Sequence, residues 1–340
     1  MNVVIIGAGV AGLTCAVELA SRGCAVDVFE RAADLGAHSC SWYAGGMLAP
    51  WCELENAEPL IAQLGEHSIA WWKDKVPSTL QRGTLVIAHG RDTTELSRFA
   101  RRTERYRWLD AAAIDALEPD LAGRFNTALL FADEAHLDPR EALPLLAQQL
   151  LKLGGNVHFS TEVKTEQFED QVVVDCTGLA ARRAMSDLRG VKGEMLLLRS
   201  RELVLHRPIR VLHPRIPLYI VPRGAGLFMV GATMIESDDA GRITARSMLE
   251  LLSAAYALHP AFGESEIVEI GTQVRPAFAD HRPRIHRSGN TLYVNGLYRH
   301  GFLVAPALAQ RVANILLHSQ HYPELMDGVT NEHSRQWQTA

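Results

Sequence analysis

The residues best suited to chemistry come first in the chain. Gly7-Ala8-Gly9-Val10-Ala11-Gly12 has the spacing GxGxxG, and an acid, Glu30, stands eighteen positions after Gly12. Gly7 permits a tight turn, Gly9 lets backbone approach a pyrophosphate, and Gly12 lets a helix pack closely on a strand. Val10 and Ala11 sit at the start of that helix, whose free N–H groups and partial positive charge suit phosphates. Glu30, with Arg31 beside it, can accept both hydroxyls of an adenosine ribose. The spacing alone is a weak signal, so its meaning rests on the elements around it.

Those elements are present. Val3-Val4-Ile5-Ile6 is a short apolar run of the kind buried in a parallel sheet. Leu13 to Arg22 has helical spacing, with Gly23 as a stop, and Ala25 to Phe29 is a second strand. Together they make a complete β-α-β unit. A second unit opens at Asp138, a helix cap, with Pro139 at the first helical position. Leu143, Leu146, Leu150 and Leu151 line one face, Gly154-Gly155 end the helix, and Asn156 to Phe159 begin a strand. Val172-Val173-Val174 is another buried strand, closing on Cys176-Thr177-Gly178. A third set comprises a strand from Thr291 to Val294, a turn at Asn295-Gly296, and a helix expected from about Pro306 to His318.

Between these units the texture changes. Leu85-Val86-Ile87, Glu194 to Leu198, and the run from Leu218 to Met234 read as longer, alternating strands. They imply a second, mainly antiparallel domain assembled from inserted segments. The expected limits are 1–78, 136–190 and 275–340 for the nucleotide-binding domain, and 79–135 and 191–274 for the other. Gly224-Ala225-Gly226 resembles another GxG, but a strand-like run follows it, so it reads as a hairpin turn. Asn331 to Ala340 read as a frayed polar tail.

One dinucleotide site is therefore expected. Two features favour FAD over NAD: the fingerprint opens the chain while further sheet segments reach its far end, and the apolar strand ending in Thr177-Gly178 recurs in FAD folds. With no second nucleotide domain, electrons are expected to come from the substrate itself.

The composition narrows the field further. The net charge of −5 and pI near 6.3 leave no clustered basic surface for nucleic acid. Arg98 to Arg107 is the densest basic stretch; it lies in a polar helical pattern from Thr94 to Tyr106 and reads as a solvated face. Five cysteines, Cys15, Cys24, Cys40, Cys52 and Cys176, form neither CxxC nor a Cys/His metal spacing, which suits a reducing cytoplasm and no metal. Cys15 and Cys176 read as packing residues. No apolar run reaches the ~18 residues of a membrane helix. The chain enters a strand at once, so no signal peptide is expected.

With these motifs in place, the chain resembles the D-amino-acid-oxidase superfamily of FAD-dependent oxidoreductases, most closely the glycine oxidases of thiamine biosynthesis, through nearly its whole length. Besides the N-terminal block, Ser41-Trp42-Tyr43-Ala44-Gly45-Gly46-Met47-Leu48-Ala49-Pro50 looks like the family's small-residue loop along the flavin. Three more blocks match: Tyr219-Ile220-Val221-Pro222-Arg223 with Val230 to Met234; Val274-Arg275-Pro276 with Asp280 and Pro283; and Gly296 to Pro306. The resemblance implies an α/β fold: a Rossmann-like FAD-binding domain of the glutathione-reductase type with an interleaved, mainly antiparallel substrate domain.

For the cofactor the resemblance implies contacts from Gly7, Gly9, Val10, Ala11, Gly12, Glu30, Arg31, Ser41, Ala44 to Leu48, the Val163 backbone, Thr177, Gly178, and Tyr298, Arg299, His300, Gly301, Phe302 and Leu303. The helix after Ala305 would aim its positive end at the pyrimidine side of the flavin. For the substrate it implies that Arg275 clamps a carboxylate, with Arg299 as second choice, and that Tyr219 faces the pocket. Two departures stand out. His300 replaces the family's usual asparagine and leaves substrate preference open, and Ile285-His286 replaces Ile-Gly, read as a surface change.

A guanidinium fork suits a carboxylate because it makes two parallel charge-assisted bonds. With the carboxylate fixed, Cα–H can lie over flavin N5, and hydride transfer from a neutral amine needs no protein base. No catalytic acid or base is assigned. The expected reaction is oxidative deamination of glycine or a similar small amine, giving an imine or oxo acid and hydrogen peroxide with oxygen as acceptor. A D-amino acid or sarcosine oxidase or dehydrogenase, a flavin monooxygenase, and a non-catalytic FAD-binding subunit remain open. The resemblance further implies a homo-oligomer, commonly a tetramer.

Overall fold

The structure, a computed structural model, describes residues 1–90, 93–212 and 218–326. The tail expected at Asn331 to Ala340 lies outside them. Two large sheets carry the fold. The first has six strands in the order Arg284–Ser288, Thr291–Asn295, Val172–Asp175, Asn2–Ile6, Ala25–Phe29 and Asn156–His158. All neighbours are parallel except the first pair, a hairpin. Val3, Ile5, Val172 and Val174 are buried in its core, as an apolar run covered on both faces requires.

The N-terminal helix spans Val10–Ser21 and is buried from Val10 through Ala20 except at Ala11. It packs against the C-terminal helix, Gly301–His318, and against Pro139–Lys152. In the latter, the Asp138 side chain accepts from Arg140 N at 2.9 Å, the cap expected from sequence. Leu143, Leu146 and Leu150 face the core, but Leu151 is 55% exposed: a residue next to Leu150 lies 100° around the helix and cannot share its face.

The second sheet has nine strands. Eight follow the order Ile235–Glu236, Arg189–Arg199, Leu227–Gly231, Leu218–Pro222, Ile209–Leu212, Thr84–Ala88, Thr127–Phe131 and Arg107–Asp110, and Glu266–Ala277 pairs with the other side of Arg189–Arg199. Every pairing is antiparallel except Ile209–Leu212 with Thr84–Ala88. The run from Leu218 resolves into two strands joined by a hairpin at Gly224-Ala225-Gly226, where all three residues have positive φ. The expected boundary at 274/275 falls inside Glu266–Ala277.

Three local expectations are corrected. Thr84–Ala88 is buried at every residue and does not alternate, because it is a central strand covered on both faces. The helix at Thr93 stops at Ala100, and Arg107 begins a strand. Most consequential, the C-terminal helix begins at Gly301, five residues before Pro306. Proline was a tempting start signal, but its missing N–H orphans only the Phe302 carbonyl, and the Trp72 indole donates to that oxygen at 2.7 Å.

Candidate active site

A cavity of about 830 Å³ runs between the sheets, within the size range of cofactor sites. At one end lies the glycine turn. Gly7 has φ +97°, and a Cβ on Gly12 would stand 1.9 Å from the Gly7 carbonyl oxygen, so helix and strand meet only because Gly12 has no side chain. Gly12 itself does not line the cavity; Gly7, Gly9, Val10 and Ala11 do. The Val10 N–H donates to Ser41 Oγ at 3.1 Å, tying the flavin-type loop to the helix start.

Glu30 lines the same end, with Arg31 and Val163. Its carboxylate accepts from Ala8 N at 2.9 Å and from Ala32 N at 3.0 Å. It thus holds the glycine turn while keeping lone pairs for a ribose. Thr177 and Gly178 line the wall, Thr177 held through its N–H and hydroxyl by Asp175. Cys176 also lines the cavity, whereas Cys15 is fully buried as expected.

At the other end stand Ala44, Gly45, Gly46, Met47, Tyr298, Arg299, Gly301 and Phe302. Gly46 has φ +65°, and a Cβ there would meet the Leu137 carbonyl oxygen at 2.1 Å. Arg223, whose role the sequence did not disclose, donates to the carbonyls of Leu137, Ala44 and Gly45 and so fixes this loop. Burial lowers its pKa to about 10, which leaves it charged at neutral pH. Leu48 is buried behind the loop. The helix terminus that opens on the cavity is Gly301–Phe302, so the positive end lies there and not after Ala305. His286 is half-buried, its ring 6.2 Å from Tyr293, so it is not a bare surface change.

A second cavity of about 90 Å³ shares Met47, Ala232, Arg275 and Arg299 with the first and adds Glu53, Arg210, Tyr219, Met234, His300 and Leu303. Here the three substrate candidates meet. Arg275 donates through Nη2 to the Thr233 carbonyl and lies 5.6 Å from the Tyr298 ring centre, while its Nε is buried without a partner. No described carboxylate pairs with it. Arg299, by contrast, donates to Glu53 Oε2 at 2.6 Å. The Tyr219 hydroxyl donates to Glu53 Oε1 at 2.7 Å and accepts from Arg210 Nη1 at 2.7 Å.

Sequence reasoning missed Glu53, Glu55 and Arg210. Arg210 is buried, donates to Glu53 Oε1 at 3.2 Å and to Glu55, and packs over Phe99 and Tyr219. A lone arginine on an apolar strand, Ile209–Leu212, was the available signal. Burial pushes the Glu53 carboxyl up, but Arg299, His300 and Arg210 outweigh it and hold it at about 2. His300 is lowered to about 3, chiefly by burial, and is a neutral imidazole at neutral pH. Behind them Glu134 accepts from Trp51 N at 3.0 Å and Cys52 N at 2.7 Å, anchoring the turn that carries Glu53. Burial raises its pKa to about 8.

The donor set fits a dinucleotide: a glycine cradle and helix terminus for phosphates, an acid for a ribose, and a loop of small residues with a second helix terminus for a planar ring. Comparison with known proteins agrees. The family model for FAD-dependent oxidoreductases (DAO) matches residues 2–315. A Rhizobium etli protein named for thiamine biosynthesis, the oxidoreductase ThiO, is 55% identical over 95% of this chain and 99% of its own. The glycine oxidase of Pseudomonas aeruginosa is 28% identical over 93% and 94%. The crystal structure of glycine oxidase from Geobacillus kaustophilus superposes with a TM-score of 0.79 at 22% identity, over 94% and 95%, which supports the fold. The chain belongs to the FAD-dependent oxidoreductase family, and its cofactor is FAD.

Proposed function

We propose that the chain oxidises the amine of a small amino acid, glycine or a close relative, with oxygen as acceptor and release of hydrogen peroxide, and that the product serves thiamine biosynthesis. The observation that carries the reading is Arg275, a guanidinium at the junction of the two cavities with no described carboxylate to neutralise it. The names of the relatives support it. A part-buried cation whose Nε is shut away without a partner is costly unless a ligand supplies a counter-ion. FAD, when bound, supplies the hydride acceptor.

In this reading the chain's residues do the positioning. Arg275 grips the carboxylate, and Tyr219 and Met234 bound the space around it. The small-residue loop and Gly301–Phe302 hold the ring, and Gly7 to Ala11, Glu30, Arg31, Val163, Thr177 and Gly178 hold the remainder of the cofactor. No base is required: Glu53, held at about 2, and His300, held at about 3, are both too weak to take a proton from an ammonium at neutral pH. The substrate amine reacts in its neutral form. We further assign the six-stranded half to FAD and the nine-stranded half to substrate, in a cytoplasmic homo-oligomer whose mass light scattering would give.

The test is anaerobic reduction of the purified yellow protein. Glycine or sarcosine should bleach the flavin absorbance, and admitting oxygen should restore it with stoichiometric peroxide. Bleaching by NADPH but by no amino acid would replace this reading with a monooxygenase.

A further inference from the structure

The small cavity holds more charge than one carboxylate clamp requires. Three guanidiniums line it, those of Arg210, Arg275 and Arg299, with one carboxylate, Glu53. Both oxygens of Glu53 are engaged. Oε1 accepts from Tyr219 at 2.7 Å and Arg210 at 3.2 Å, and Oε2 accepts from Arg299 at 2.6 Å, while His300 Nδ1 lies 3.5 Å from Oε2. Three donors, two of them guanidiniums, hold this carboxylate within the chain. Glu53 is therefore not a ligand in waiting; it is a counter-ion.

Its partners fix the charge of the pocket. Glu53 neutralises Arg299, and Glu55, reaching in from the same turn, pairs with Arg210. Among the described residues three cations stand against two anions, so one positive charge is left over, and it lies on Arg275, which has no described carboxylate. The other buried groups add nothing. Burial lowers His300 to about 3 and raises Glu134 to about 8, which favours the neutral form of both. Arg210 has no freedom to leave, since Phe99 and Tyr219 pack about 5 Å from its guanidinium.

We propose that Glu53 is the specificity-determining residue that sets this pocket to accept one carboxylate and to refuse a second. This rests on the small cavity being the seat of the substrate. A mono-anionic amino acid brings the site to neutrality. A dicarboxylate would leave an uncompensated negative charge beside Glu53, which is itself buried, and like charges so placed are disfavoured. Selectivity in this proposal is a count of charges as well as a matter of size. It acts through Arg299 and Arg210, so Glu53 is a positioning residue.

A size-matched pair that cannot be oxidised tests the count. Malonate carries two carboxylates; malonamate, its monoamide, carries one and has nearly the same shape. Binding to the FAD-loaded protein is read from perturbation of the flavin spectrum, at a pH where both malonate groups are ionised. The wild type should bind malonamate ~10-fold or more tightly than malonate. Glu53→Gln, which keeps the shape and one accepting oxygen, should reverse that preference with FAD content unchanged. Arg299→Gln, which removes a cation, should weaken both and widen the gap. Equal binding of the two probes by the wild type, or an unchanged ratio in a Glu53→Gln protein that retains FAD, overturns the proposal, and so does a lack of response to either probe. If Glu53→Gln fails to fold, the wild-type ratio and Arg299→Gln still decide. Because neither probe is turned over, failure of glycine to bleach the flavin would remove the proposed reaction without touching this result.

Discussion

Arg275 differs from every other arginine near the site in what it lacks. Arg299 and Arg210 have carboxylates, and Arg223 uses its fork on three loop carbonyls, whereas Arg275 lines both cavities with no described carboxylate to pair with it. Arg275→Ala should remove a charge-assisted contact worth roughly 1.5–3 kcal/mol, a loss of about 10–100-fold in kcat/KM for carboxylated amines. Amines without a carboxylate should lose little. Because Nη2 also bonds the Thr233 carbonyl, stability should fall as well, by about 1 kcal/mol, but the protein should retain FAD. Equal losses on carboxylated and uncarboxylated amines would show that the pose is wrong. Arg275 was legible in the sequence through its Arg-Pro neighbourhood and the family resemblance. The Glu53 hub was not, because its members lie at 53, 55, 210, 219 and 299 and only the folded chain brings them together.

At the scale of elements, the N-terminal β-α-β unit could be read to within a few residues, since glycine turns, an apolar run and a helix stop are all local signals. The C-terminal helix could not. Its first turn lacks an Asp, Ser or Thr cap, and His300 stands at the cap position with no side-chain capping bond. What secures that turn is tertiary: Trp72, on the helix Ser68–Lys75, supplies the donor that Pro306 denies to the Phe302 carbonyl. Trp72→Phe should then cost about 1–3 kcal/mol for the orphaned carbonyl beyond the packing loss. Pro306→Ala restores an N–H that can reach the same oxygen, so the penalty of Trp72→Phe should shrink in that background. A double-mutant cycle by urea denaturation measures the coupling. Additive penalties would mean that the indole bond carries no weight. The turn in question lines the large cavity, so on the proposed placement of FAD a coupled loss should also appear as weaker FAD retention.

For the whole molecule, three buried titratable groups set a pH optimum of stability. Burial is the main cause of each shift: Glu134 rises from 4.5 to about 8, while His136 and His300 fall from 6.5 to about 3, with Arg223 adding to the effect on His136 and Arg299 on His300. Glu134, with its folded pKa raised, contributes stability that is full below pH 4.5 and is lost as pH rises to about 8. The histidines, with folded values depressed, contribute stability that is full above pH 6.5 and is lost as pH falls toward 3. Between pH 6.5 and 8 the folded chain therefore holds about one proton more than the unfolded chain, and stability should fall by about 1.4 kcal/mol per pH unit. Between pH 4.5 and 6.5 the unfolded chain takes up protons on His136 and His300, and further on His259 and His281, which burial also lowers, against one held by Glu134, so stability should fall at least as steeply in the acid direction. The maximum is expected near pH 6.5 in denaturation with FAD in excess. Glu134→Gln should flatten the alkaline arm alone, because glutamine still accepts from the Trp51 and Cys52 N–H groups but cannot ionise. An alkaline arm that persists in this variant would show that Glu134 is ionised at neutral pH. The turn bearing Glu53 would then be anchored by a carboxylate, and the charge of the substrate pocket would have to be counted again.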